Sequence, residues 1–405
     1  MIKKIITPIL GFFPLLIAVL LPFFSGGEDP LIKLFSILLI SFSLLLFTLF
    51  SGLKWLRGNS FFSARVILGL FLLFSFLSSI FSHNVFFSLL CWLEFLLGAL
   101  IFFTLQKQEF WQNKKYSILA VIVSSSTLLS LLGFFYYLVG NYTRLTSTFY
   151  WPNPFASFLL LILPLNIYLL WQGRYKLIWL LFLIINGSAF VLTGSRGAWL
   201  SLILVLVGLA IIAWRQKEFF VPKKNIFNIL KIFILIVILA FVLQGLKDNN
   251  WSFIQRNYQG PLDSSSVMRL DYWLGAGKIF ISNPFLGTGL GSFKTVYQYY
   301  QSNPLSSGKY AHNWYLELLA EGGILVFLSF LAFILLVLRP QNKMTENPFS
   351  WFILISLSSY LLHNGVDIGS HYFANQILFW LLLTWYISIN IKIEKKENNN
   401  LFIPR

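Results

Sequence analysis

Apolar residues run through this chain in blocks of about 20, separated by short polar intervals. Blocks of that length match the thickness of a bilayer's hydrocarbon core. Twelve such stretches read as candidate spans: 5–24, 31–50, 64–81, 85–105, 117–139, 155–171, 177–192, 197–214, 226–246, 314–338, 349–364 and 373–391. Backbone polar groups in lipid must be satisfied within their own segment, so each span is expected to be a helix. The expected fold class is therefore all-α: a polytopic integral membrane protein with about 12 transmembrane helices and one long extracytoplasmic loop containing short helices. The expected division is 1–140, the N-terminal helices; 141–338, a core region including the loop 247–313; 339–391, the C-terminal helices; and 392–405, a disordered cytoplasmic tail.

Composition supports the class. The chain is 57% hydrophobic and 11% charged, whereas a soluble protein carries about a quarter charged residues. A net charge of +16 would suggest a nucleic-acid partner in a soluble protein. In a membrane protein, cytoplasmic loops collect Lys and Arg, and no nucleic acid is expected. With the N-terminus placed inside, 21 of the 30 cations fall on the inner side, loop after loop. The first apolar run reads as an uncleaved span, because no small-residue cleavage site follows it. The lone Cys91 lies in an apolar run, so neither an intrachain disulfide nor a cysteine metal cluster is expected.

The exceptions to the charge rule mark one face. Arg144, Arg196, Arg256 and Arg269 fall outside, and His83, His312, His363 and His371 fall at outer loops or outer span ends. The segment 141–154, with Arg144, is rich in hydroxyls, aromatics and turn formers; it suits either an interfacial turn or a platform for a sugar or phosphate. In the tight turn 193–199, Ser195 can cap the next helix. Arg196 then sits in a first helical turn, where positive charge opposes the helix dipole. It is either a cation that snorkels to the interface or a bidentate partner for an anion bound at the helix start. In the long loop, 267–280 reads as an amphipathic interfacial helix carrying Arg269, broken by Asn283-Pro284. The glycines at 287, 289 and 291 lack the βαβ context of a nucleotide site and suggest close backbone approach. His312 is either an interfacial histidine that bonds the loop or a group suited to proton transfer near neutral pH, with neighbouring arginines expected to keep it neutral. Asn313, Glu317 and Glu321 follow, and these carboxylates are expected to find arginine partners. His363 and Asp367 add a polar cluster at another outer span end.

These residues resemble the O-antigen ligase/polymerase superfamily of bacterial membrane glycosyltransferases. The segment from Arg144 to Ala156 is similar to an R-x-x-G-T-x-x-x-P-N-x-x-A pattern, with Ser147 in place of the glycine. Residues 193–199 are similar to an S-R-G-A motif, and Arg269 to Phe293 to the family's loop segment. His312-Asn313-x-x-Leu316 with Glu321-x-Gly323 is similar to an H-N-x-x-L-x-x-x-x-E-x-G signature. The resemblance implies an undecaprenyl-diphosphate-linked glycan as donor and transfer to an acceptor hydroxyl on a glycan, lipid or protein, among membrane lipids at the outer face of the cytoplasmic membrane. It implies that Arg196, Arg269 and Arg144 bind the diphosphate and that His312 is the general base. Ser195, Asn313, Glu321, Asp367 and His363 would support them. No metal or other cofactor is expected, since preorganised arginines can stabilise the leaving diphosphate. Glu28-Asp29 is the only close acidic pair in an outer loop and reads as a topology feature.

Two alternatives stand beside a ligase. A repeat-unit polymerase of the same superfamily would share every motif. A small-anion transporter would be expected to show broken helices and midplane ionisable residues, and the span interiors are almost free of charge.

Overall fold

The computed structural model describes residues 12–51, 62–105, 113–140, 142–215, 223–247, 264–302, 308–339 and 347–401. Arg256 and the inner cations Lys3, Lys4, Lys54, Arg57, Lys107, Lys217 and Lys343 lie outside the described residues. Every regular element among the described residues is helical. The helices are α1 (Phe12–Phe23), α2 (Pro30–Ser51), α3 (Phe62–Ile80), α4 (Val85–Leu105), α5 (Lys115–Val139), α6 (Pro152–Trp171) and α7 (Lys176–Leu192). They continue as α8 (Arg196–Arg215), α9 (Lys223–Lys247), α10 (Ser264–Ser282), α11 (Phe293–Tyr297), α12 (Trp314–Val337), α13 (Pro348–His363) and α14 (Phe373–Leu401).

Six of these helices are long and apolar enough to cross a membrane, and α1, α7, α8, α13 and α14 include shorter apolar stretches. The chain is a membrane protein. The tail expected to be disordered from 392 is instead helical as far as Leu401, a continuation of α14.

The bundle is built around α6. Pro152 and Pro154 fit its first turn, where the missing N–H costs no helical bond. Every residue from Pro154 to Asn166 is buried, as expected of a helix that is apolar all round. It packs against α5, α7, α8, α13 and α14.

Helix α12 is broken at Gly323, where φ is 71° and ψ −175°. The segment after α10 fills the break. Thr288 N–H donates to Ala320 O at 3.3 Å, Gly289 N–H to Glu321 O at 2.8 Å and Ile324 N–H to Pro284 O at 2.8 Å. The contact is main chain on main chain. A Cβ on Gly287 would lie 2.2 Å from Glu321 O, and one on Gly323 2.3 Å from Phe285 O. These are the close approaches that the G-x-G-x-G run suggested.

The Glu321 carboxylate completes the joint. Oε2 accepts from Gly291 N–H and Oε1 from Phe293 N–H, both at 2.7 Å. The expectation of an arginine partner for Glu321 is corrected: two backbone donors of a loop that reaches it compensate the charge. The same expectation fails for Glu317, which accepts from Ala311 N–H at 2.8 Å and pairs with His371 Nε2 at 3.0 Å.

Candidate functional site

Four loops converge at the helix ends around α6. Asp367, in the turn after α13, is buried and saturated with donors. Its Oδ1 accepts from Ile368 N–H at 2.8 Å, and its Oδ2 from Asn153 Nδ2 at 2.5 Å and Arg269 Nη2 at 2.8 Å. Asn153 accepts in turn from Arg144 Nη2 at 2.6 Å, and Arg144 Nε donates to Thr193 O. Arg144, from the loop before α6, and Arg269, from α10, thus meet through Asn153 and one carboxylate. A guanidinium has five N–H donors, so one bond to Asp367 leaves Arg269 able to bind an anion.

His363 ends α13 and is fully buried. Its Nδ1 lies 2.7 Å from Ser157 Oγ on α6, and its Nε2 lies 3.2 Å from Ser195 Oγ at the start of α8. A neutral imidazole has one donor and one acceptor, and a hydroxyl can match either. His363 therefore joins the ends of three helices. Gly197 makes room for this arrangement, since a Cβ there would lie 2.9 Å from Val366 Cγ2 and 3.3 Å from His363 Cδ2. Ser195 Oγ also faces Ala198 N–H at 3.4 Å, the expected cap of α8 in a long form. Arg196 is exposed in the first turn of α8, where free N–H groups favour an anion.

His312 stands immediately before α12. Its backbone is left-handed, with φ 51°, an uncommon conformation in which His is over-represented. Its ring stacks on Tyr272 of α10 at 5.7 Å between centroids. Nδ1 is buried with no hydrogen-bond partner. The pKa is lowered, first by burial; Asp367 opposes the shift and Arg269 adds to it. The ring is therefore held neutral, chiefly by desolvation rather than by arginine charge alone. Asn313 caps α12, its Oδ1 accepting from Tyr315 and Leu316 N–H at 3.1 Å each. Trp314 N–H donates to Asn364 O at 2.8 Å, tying this start to the end of α13.

The structure thus links Arg144, Arg269 and Asp367 by hydrogen bonds, and places His312 within electrostatic reach of Arg269 and Asp367. Ser195 and His363 form a latch beside Arg196. Glu321 faces the glycine loop instead. Asp29 caps α2 through Leu31 and Ile32 N–H, as suits a topology feature. No His, Cys, Asp and Glu grouping suited to a metal ion occurs among the described residues. Sequence reasoning met Asn153 only as part of the resembling P-N motif, without a role, and did not single out Ser157 or the Glu317–His371 pair. For the pair, the one legible signal was the even spacing of His363, Asp367 and His371.

Ser147 replaces the glycine of the resembling pattern. Its φ is 54°, which explains why that position favours glycine. Its hydroxyl compensates by donating to Leu129 O at 2.6 Å.

Residues 177–331 match the O-Antigen ligase family. That region contains Arg196, Arg269, the glycine loop, His312 and the break in α12. The chain is also similar to the ComP-specific O-oligosaccharyltransferase of Acinetobacter baylyi, at 26% identity over 227 residues. The match covers 54% of this chain and 40% of the relative, so the chain spans under half of that protein's length. The region 177–331 is thus similar to the O-antigen ligase family, and a wider stretch of the chain is similar to an oligosaccharyltransferase.

Proposed function

We propose that this protein is a glycosyltransferase of the O-antigen ligase type. It transfers a glycan from an undecaprenyl-diphosphate carrier to an acceptor hydroxyl at the outer face of the cytoplasmic membrane, with both termini cytoplasmic. Arg196, Arg269 and Arg144 bind the diphosphate. As the glycosidic bond to the carrier breaks, negative charge grows on the leaving diphosphate, and fixed guanidinium donors stabilise it. His312 takes the acceptor's proton as the new glycosidic bond forms. The observation that carries this reading is the buried, partnerless Nδ1 of a neutral His312 within electrostatic reach of Arg269 and Asp367. A hydroxyl donating to Nδ1 would satisfy that atom and stand where its proton must go.

The division at 141–338 follows from the same reading, since that interval contains every residue given a role except Asp367 and His363. The break in α12 suits a transporter. Its backbone groups are occupied by the glycine loop, which favours a fixed joint over a moving gate.

The test uses a deletion strain complemented with wild type, His312→Ala or Arg196→Lys. Lipid-linked glycans are sized by mass spectrometry beside the finished glycoconjugate. Both variants are expected to abolish transfer, since lysine loses the bidentate geometry. Long lipid-linked chains that accumulate support a ligase, and single repeat units a polymerase. Full transfer by His312→Ala would refute the base assignment.

A further inference from the structure

A non-glycine residue held in the left-handed region is strained and persists only where its surroundings over-determine it. His312 is such a residue. On its C-terminal side, the Asn313 cap and the Trp314–Asn364 bond fix the chain. On its N-terminal side, residues 310 and 311 are gripped by a pair that the transfer reaction does not otherwise use. Glu317, buried one turn into α12, accepts from Ala311 N–H through Oε2 at 2.8 Å. Through Oε1 it meets His371 Nε2 at 3.0 Å. The His371 ring lies flat on Tyr310, with centroids 3.8 Å apart and planes at 21°. Lys309 covers the same tyrosine ring, 4.8 Å from its centroid.

We infer that Glu317 and His371 are positioning residues for His312. One carboxylate fixes the backbone N–H immediately before it, and one imidazole clamps the side chain before that. The inference rests on the reading that His312 takes the acceptor's proton. The pair sets the backbone from which His312 presents Nδ1, and has no direct part in donor binding. The arrangement is economical in charge. Each Glu317 oxygen meets a donor, and His371 Nε2 is fixed as the nitrogen facing Glu317, whether the ring is neutral or protonated.

The test measures release of undecaprenyl diphosphate in detergent, using purified lipid-linked glycan as donor and the cell's own acceptor fraction. Misplacing a catalytic group by about 1 Å can cost roughly 100-fold. Glu317→Ala is expected to lower kcat by about that factor while leaving the donor KM unchanged. His371→Ala should lose part of the activity, and His371→Gln should recover most of that loss, because its amide N–H replaces the ring N–H. Glu317→Ala is also combined with His312→Ala, with added imidazole supplying the missing base. If Glu317 acts through His312, its removal costs little more in that background. An equal loss in both backgrounds, or a higher donor KM, or His371→Gln no better than His371→Ala, would overturn the inference. If His312→Ala alone leaves transfer intact, the base assignment fails and takes the inference with it, while the transferase reading stands.

Discussion

Asp367→Asn separates two effects that the structure ties together. Asp367 carries the only carboxylate hydrogen-bonded to Arg269 among the described residues, and it also receives Asn153 and Ile368 N–H. Neutralising it frees positive charge on Arg269, which by itself strengthens attraction for a diphosphate. The asparagine has one acceptor oxygen, so at least one of the three donors is left facing an NH2 group. A hydrogen bond to a charged partner contributes about 1.5–3 kcal/mol. At about 1.4 kcal/mol per tenfold, losing the orientation of Arg269 should lower kcat by roughly 10- to 100-fold. The donor KM should stay level or fall, because the binding charge has grown. Steady-state kinetics on the purified protein, with donor titrated at saturating acceptor, separate the two parameters. A raised KM with kcat unchanged would refute the reasoning, and would mean that Asp367 serves binding rather than orientation.

Two further outcomes follow from the geometry. Ser147→Gly removes a left-handed cost of about 1–2 kcal/mol and a hydrogen bond contributing about 0.5–1.5 kcal/mol; the net change in thermal stability should be within about 1 kcal/mol. A large loss would show that the hydroxyl, rather than the backbone, governs that turn. For His312, the folded pKa lies below the unfolded value near 6.5. The unfolded chain therefore takes up the proton first on acidification, and this group's contribution to stability falls as pH drops below about 6.5. Its base form persists into the same range, so the transfer rate should stay flat above about pH 6.5 and fall only below it. A rate already falling between pH 8 and 7 in wild type would contradict the neutral, desolvated ring.

Much of this arrangement was legible because lipid imposes simple rules on sequence. Helix after helix followed from run length, and α10 followed from a stretch ended by Asn283-Pro284. The glycines of 287–291 announced close backbone contact, while their counterpart, the left-handed Gly323, was marked only as the last residue of the resembling signature, with no sign of a helix break. What sequence could not give was pairing across the bundle. Glu321 and Glu317 invited arginine partners because charge at depth needs compensation. Their actual partners are backbone N–H groups and a histidine about 50 residues away in sequence from Glu317. Backbone donors have no sequence signature. The role of Asn153 was hidden in the same way: the motif marked the residue, but not that it bridges Arg144 and Asp367.

The joint between the glycine loop and α12 anchors the polar face to a helix of the bundle. Gly323 lies nine residues into α12, roughly 14 Å along the helix axis from its start at 1.5 Å per residue. Lifting residues 284–291 would strip partners from the Ala320 and Glu321 carbonyls and the Ile324 N–H, and uncover the Glu321 carboxylate. The loop therefore fastens the C-terminal end of α10, the helix that carries Arg269, to α12, so the place of Arg269 beside Asp367 depends on a joint made of backbone hydrogen bonds.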